Sequence, residues 1–338
     1  MKISKQKFSD ALNLLRPGLA DKEIISQSAS FVFHSGRIYT YNDMIAVSVP
    51  FESDLEGAVP GGALVKLLDK MKQEDVDVSI VENQLIVKAG NIAAGLRIES
   101  EITLPIDELV VPEKWSALPE DFIPALRFCV FSASSDTSKP VLTCIHIVEY
   151  HVESCDNYRV TRYFLDKEKM KKPLGNLLIP QSSVASLINY KVKGYGMTDG
   201  WAHFESEGIV FSCRTYAEEY PAVDKLLKVS GTKLSLPEGI AEAADRASIF
   251  TTGKKQTDEV ASVQMQSGGL IIEGMGDGGW YKEKLKSNYK GEPVTFSVNP
   301  HFLKEAVGLT DKLIIGEGTL ALAGDNFIHV VSLSVTKG

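Results

Sequence analysis

The feature that most constrains this chain is a long internal period. Prolines that open apolar helical patterns stand at Pro60, Pro180 and Pro300, 120 residues apart both times. Two Leu-Pro-Glu openings, at Leu118-Pro119-Glu120 and Leu236-Pro237-Glu238, lie 118 apart. Self-similarity at a fixed long period implies one architecture used repeatedly along the chain.

Each pass has the same content. Phe8, Ala11, Leu12 and Leu15 fall at i, i+3, i+4 and i+7 before Pro17-Gly18, which is one face of a terminated helix. The same spacing recurs at Leu64, Leu67, Leu68 and Met71, at Phe122, Ala125, Leu126 and Cys129, and at Val184, Leu187 and Ile188. It returns at Ile240, Ala243, Ala244 and Ala247 and at Leu303, Ala306 and Val307. Helices are therefore expected over 4–16, 60–74, 119–131, 180–193, 237–249 and 299–309, with Leu-Pro-Glu in the first turn of the third and fifth. Strands are expected between them. Ser30 to His34 and Arg37 to Tyr41 flank a Ser35-Gly36 turn; Val76, Val78 and Ile80 alternate with polar residues; Asp199-Gly200 and Glu207-Gly208 turn later strands; Ile328 to Val335 closes the set. The expected class is α+β, three tandem copies of a domain with two helices packed on antiparallel sheets, bounded at 1–115, 116–231 and 232–338. Alternation implies sheets with one covered and one wet face. Large side chains on each helix face, at ~1.5–3 kcal/mol each when buried, suffice to hold helices onto sheets.

Composition narrows the function. A chain of 338 residues, 44% hydrophobic and 24% charged, exceeds one ordinary core and is of average globular make-up. No apolar run approaches ~20 residues and no signal-peptide core follows Met1, so a cytoplasmic protein without a membrane partner is expected. Cys129, Cys144, Cys155 and Cys213 are scattered without a Cys-x-x-Cys pair, which reads as buried thiols. The net charge of -8 argues against a surface that coats nucleic acid but permits a local basic strip.

No catalytic constellation emerges. The six histidines form no His-Glu-x-x-His helix. Gly274-Met275-Gly276-Asp277-Gly278-Gly279 has the glycines of a dinucleotide-binding turn, but Trp280-Tyr281-Lys282 stands where its helix should begin, so a loose hairpin turn is expected. The reading is of a non-enzyme with no catalytic residue, metal or cofactor.

Pro140 to Leu165 reads as a hairpin whose Asp-Asn pair tolerates left-handed backbone. Lys139-Pro140-Val141-Leu142, followed by Cys155-Asp156-Asn157-Tyr158-Arg159-Val160, resembles the middle domain of the bacterial DNA polymerase III β sliding clamp. That family has an X-Pro-Val-Leu strand and then a Thr-Asp-Gly-His-Arg-Leu turn. Asp156 and Arg159 match; Asn157 and Tyr158 replace Gly-His. Gln84-Leu85-Ile86-Val87, Tyr220-Pro221, Asn299-Pro300 through Leu309 and Val330-Val331 extend the resemblance over essentially the whole chain.

The resemblance implies a DNA sliding clamp, a processivity factor for replication. Two three-domain chains would join head to tail as a homodimer ring around duplex DNA, with helices lining the hole and sequence-independent contacts. It implies the polymerase and a clamp loader as partners. An apolar groove for their peptides falls on Leu142, Cys155, Asn157, Tyr158, Arg159, Val160, Pro221, Lys225, Leu226, Val330, Val331, Ser332 and Leu333. Basic residues slightly outnumber acidic ones in the six expected helices, and the DNA-facing candidates are Lys5, Lys7, Lys66, Lys70, Lys72, Arg127, Lys191, Lys193, Arg246 and Lys304, each of which also suits a solvated helix face. Tyr158 for His, Lys225 for Arg and Ser332-Leu333-Ser334-Val335 for Met-Pro-Met-Arg mark a divergent, phage-like member with altered peptide preference. Alternative readings are a repeat-built scaffold that never encircles DNA, or a nucleotide-binding enzyme using the glycines at 274–279.

Overall fold

The computed structural model describes residues 1–170, 172–253 and 256–334; Val335, expected to end the last strand, lies outside them. The order strand, helix, three strands, strand, helix, three strands occurs three times. The first pass is β1 Lys2–Ser4, α1 Lys5–Leu15, β2 Ser30–His34, β3 Arg37–Tyr41, β4 Ile45–Pro50, β5 Gly57–Pro60, α2 Gly61–Lys70, β6 Asp75–Val81, β7 Gln84–Ala89 and β8 Ile92–Arg97. The second is β9 Ser116–Ala117, α3 Phe122–Cys129, β10 Cys144–Glu149, β11 His151–Cys155, β12 Arg159–Phe164, β13 Leu174–Pro180, α4 Gln181–Leu187, β14 Gly194–Thr198, β15 Trp201–Ser206 and β16 Ile209–Arg214. The third is β17 Thr232–Ser235, α5 Ile240–Ser248, β18 Ala261–Gln266, β19 Gly269–Gly276, β20 Gly279–Lys286, β21 Val294–Val298, α6 Pro300–Val307, β22 Lys312–Gly316, β23 Thr319–Ala323 and β24 Phe327–Ser332.

The helices are those the periodicity predicts, though shorter. Phe8, Leu12, Leu15, Leu64, Leu68, Leu126, Val184, Leu187, Ala243, Ala247, Leu303 and Ala306 are all buried. Both Leu-Pro-Glu segments stand before their helices instead of inside them, so α3 and α5 start at Phe122 and Ile240. The position before the second helix of each pass is Pro60, Pro180 and Asn299. Pro300 is therefore one residue out of step: it occupies the first helical position, while the Asn299 side chain accepts the His301 and Phe302 amides as a cap.

The same isolated bridge closes each pass, Ala58 to Glu99, Leu178 to Tyr216 and Ser297 to Ser334. By contact density, however, the chain forms two compact units. Unit 1 comprises Met1–Pro124, Asp166–Pro173 and Leu177–Ala217; unit 2 comprises Ala125–Leu165, Leu174–Asn176 and Glu218–Gly338. Unit 1 holds a four-stranded sheet, β1-β6-β7-β8, and an eight-stranded sheet, β5-β2-β3-β4-β16-β15-β14-β9. Unit 2 holds the eight-stranded sheet β13-β10-β11-β12-β24-β23-β22-β17 and the four-stranded sheet β20-β19-β18-β21. Units and passes differ because β4 pairs with β16 and β12 with β24, hydrogen-bonding one pass to the next.

The expectation of one wet face fails in the eight-stranded sheets. In unit 1 the helix side carries Phe8, Phe33 and Phe51, with ring centroids 5.3 to 6.4 Å apart. The other side, around Val32, Tyr41, Ala46 and Trp201, is covered by Leu104, Ile102, Ile106 and Leu109 of the connector after β8. Buried Gln27 anchors that connector: its amide donates to the Glu101 carbonyl (2.7 Å) and accepts the Thr103 and Leu104 amides. In unit 2 the helix side packs Leu320, Leu322 and Val331 against α5 and α6. Val223 and Leu227 of the connector after β16 cover the opposite side. Non-periodic connectors thus supply a second layer that strand alternation cannot reveal.

The Pro140 stretch also departs from expectation. Pro140–Thr143 is a 3-10 turn, and two hairpins follow. The turn between β11 and β12 is Asn157-Tyr158, and neither residue has positive φ. The Asp156 carboxylate accepts the Tyr158 and Arg159 amides at 2.7 and 2.9 Å, so a side-chain cap replaces left-handed backbone. Residues 274–279 do form a hairpin, but a tight one: Gly276 pairs with Gly279 around Asp277-Gly278, and β20 follows. All four cysteines are buried and free.

Candidate functional site

The strand pair β12 and β24 decides where each expected groove residue points. Val160 lies opposite Val330 and Cys155 opposite Val160, and all three share the connector side. There they form one apolar cluster with Val223, Leu227 and Ala321, joined by partly buried Leu142, Tyr220, Ile314 and Ile328. The turn that seats Val223 and Leu227 leaves Leu226 58% exposed beside this cluster, with Pro221 and Lys225 also in solvent. Leu142, Cys155, Val160, Val330, Pro221, Lys225 and Leu226 are thus drawn to one side of the sheet in unit 2, and exposed Ser332 shares the face of Val330.

The other expected groove residues are not on that surface. Val331 belongs to the helix-side core, and partly buried Tyr158 and Leu333 pack against it. Arg159 also faces the helices: its guanidinium lies 4.5 Å from the Phe302 ring centroid, donates to the Phe131 carbonyl (2.7 Å) and to Asp156 (3.1 Å), and pairs with Glu305. Asn157, Tyr158 and Arg159 line a cavity of about 680 Å³ together with Phe302, His301 and Glu305. Period-2 alternation is the reason: Val330 and Val331, or Arg159 and Val160, cannot serve the same face.

A polar cluster missed by the sequence reading braces the connector side. Glu153 is 3% exposed; it accepts from His146 Nδ1 (2.7 Å) and Arg162 Nε (2.7 Å). Arg162 reaches Asp224 of the connector at 2.7 Å. Burial alone would raise the Glu153 carboxyl, but the His146 hydrogen bond and the Arg162 charge outweigh it and hold the group below the usual range. The His146 ring stacks on Tyr220, centroids 4.7 Å apart, and the Tyr220 hydroxyl donates to Cys155 Sγ at 3.2 Å. The signal was in the sequence: Glu153 and Cys155 are two apart on a strand, as are Val160 and Arg162. No group of three or more His, Cys, Asp or Glu among the described residues is arranged to hold a metal ion.

The DNA-facing candidates divide differently. In unit 1, Lys5 donates to the Met71 carbonyl at 3.0 Å, while Lys7, Lys66 and Lys70 are exposed on α1 and α2. Lys72, Lys191 and Lys193 are off the helices, because α2 ends at Lys70 and α4 at Leu187; Lys193 pairs with Glu207 at 3.3 Å. In unit 2, Arg127 is exposed on α3. Arg246 pairs with Glu283 (2.7 Å), and Lys304 with Asp245 (2.5 Å), so internal partners already offset these two charges. Among the described residues no ion pair engages Lys7, Lys66 or Lys70 on the helices, nor Lys72 or Lys191 off them, so the first three are the exposed candidates that α1 and α2 carry without an ion pair.

No family model matches the sequence. Solved structures do. The DNA polymerase III β subunit from Pseudomonas aeruginosa is 15% identical, with 99% of each chain covered and a TM-score of 0.82. The β chain from Streptococcus pneumoniae TIGR4 is 17% identical, with 99% of each covered and a TM-score of 0.84. The DNA polymerase sliding clamp from Bacillus subtilis is 16% identical, covering 99% of this chain and 98% of that one at a TM-score of 0.81. With the threefold element order and the strand pairings above, this likeness shows that the chain has the DNA polymerase III β-subunit fold, three copies of the sliding-clamp domain.

Proposed function

We propose that this protein is a DNA sliding clamp: two copies close head to tail around duplex DNA and tether a polymerase, and no bond is made or broken. Open sheet edges carry the reading. In each pass the strand before the fifth strand (β4, β12, β20) and the last strand (β8, β16, β24) are edges of four-stranded sets. β4 is taken by β16 and β12 by β24, so among the described residues β20 and β8 alone of these six keep an outer edge without a partner strand. Unpaired edges with complementary partners are templates for association, and a heterologous contact between β20 of one chain and β8 of another can close into a ring. Domain boundaries at 1–115, 116–231 and 232–338 follow from the same repeat.

Contacts with DNA would be electrostatic and blind to sequence, centred on Lys7, Lys66 and Lys70. The connector-side cluster around Val160, Val330 and Leu226 is the proposed dock for extended peptides of the polymerase and of a clamp loader. A cytoplasmic location suits this role; no helix among the described residues is long and apolar enough to cross a membrane. The test combines sedimentation with DNA retention. The expected results are a mass of about twice 37.0 kDa and loader-dependent retention on nicked circular DNA that is lost on linearisation. A stable monomer without such retention would instead favour a scaffold that does not encircle DNA.

A further inference from the structure

The two pairings that exist within the chain share one register, and that register specifies the third. β4 begins after the two-residue turn Asp43-Met44, and β16 after Glu207-Gly208; the first residue of β4, Ile45, lies opposite the fifth of β16, Cys213. β12 begins after Asn157-Tyr158, and β24 after Asp325-Asn326; again the first residue, Arg159, lies opposite the fifth, Val331. The next residue along repeats a backbone bond: the Arg214 amide donates to the Met44 carbonyl at 3.0 Å, and the Ser332 amide to the Tyr158 carbonyl at 2.7 Å. β20 begins after an equal turn, Asp277-Gly278, and β8 after Gly90-Asn91.

We infer that a second copy of this chain docks β8 onto β20 in that register, with Arg97 of one chain ion-paired to Asp277 of the partner subunit. Gly279 then lies opposite Leu96, Trp280 opposite Gly95, Tyr281 opposite Ala94 and Lys282 opposite Ala93. The inference rests on the ring reading and names the contacts that reading requires.

Two independent features fit it. The first is charge. Arg97 holds in β8 the place that Arg214 holds in β16, and Asp277 the place of Asp43. Within unit 1, Arg214 already donates to the Asp43 carbonyl (3.1 Å) and carboxylate (3.2 Å). The Arg97 side chain is 82% exposed with only a 4.0 Å approach to Glu99, and Asp277 is exposed. The second is size. Trp280 on the edge strand is 69% exposed, and its cross-strand neighbour Met275 on β19 is 77% exposed, a large apolar pair beside an open edge. Across from Trp280 this register sets Gly95, which follows Ala93 and Ala94 on β8. Where Val160 meets Val330 in unit 2, one large side chain would meet a residue that has none.

Charge exchange tests the register. Arg97→Glu and Asp277→Arg should each raise the dimer dissociation constant at least about tenfold, since each puts like charges face to face; the double variant should restore it. Lys286→Glu, on β20 but past the end of β8 in this register, should leave association unchanged. All are read by sedimentation at several concentrations, with thermal melting to show that each variant folds. A dimeric wild type whose single variants associate normally, or whose double variant does not recover, overturns the register and leaves the ring reading standing. A monomeric wild type overturns both.

Discussion

Replacing Arg159 should destabilise unit 2 without touching the proposed peptide surface. Its guanidinium joins β12 to α6 through Glu305 and Phe302, to the Phe131 carbonyl and to its own turn through Asp156. Its side chain is 11% exposed and that of Asp156 10%. Arg159→Ala leaves the Asp156 carboxylate without its cation and the Phe131 carbonyl without a donor. Removing one member of a buried pair costs ~3–5 kcal/mol; Glu305 is 42% exposed and can turn to water, which places the expectation at the low end, about 3 kcal/mol. For domains of 150–250 residues that lowers Tm by roughly 6–12 °C. Differential scanning calorimetry should show the shift. Arg159→Lys should recover less than half of it, because an ammonium cannot reproduce a planar fork facing two carboxylates and a ring. A fall below about 2 °C for the alanine variant would refute the assignment of Arg159 as a strut.

Leu226→Asp, by contrast, should leave Tm unchanged and weaken peptide docking by roughly 10- to 100-fold, the loss of one buried leucine at ~1.5–3 kcal/mol; undiminished polymerase stimulation in primer extension would remove the dock from this face. Acid should act through two histidines. Burial lowers His203 to about 4, and burial, with the Arg159 charge, lowers His329 to about 3, both below the unfolded value of about 6.5. The stability tied to their neutral forms is therefore complete above pH ~6.5 and is lost as pH falls toward 4 and then 3. Urea midpoints between pH 7 and 4 should fall for the wild type and fall less steeply for His203→Asn; equal slopes would contradict this.

The helical faces were legible because burial of Leu12, Leu126 or Ala243 follows directly from a 3.6-residue period. Turns such as Ser35-Gly36 and Glu207-Gly208 were legible from residues that accept positive φ. The edge strands β1, β5, β9 and β13 were not, because they exist only through pairing with strands distant in sequence. The groove was half legible. A motif match locates Arg159 and Val160 together, but only strand register tells that one braces a helix while the other faces the connector. Val223 and Leu227 carried no periodic signal, yet they cover the sheet face that alternation alone would have left wet.

The mismatch between passes and compact units bears on how this protein can be dissected. Unit 2 is assembled from three separate stretches, so no single truncation yields it. A fragment cut at residue 115 or 231 would instead be synthesised with half of an eight-stranded sheet and a raw flank, β4, β12, β16 or β24, seeking any strand nearby. Such pieces should clump on expression, and workable excision would need the intervening stretches of the other unit cut out and the ends rejoined by a linker.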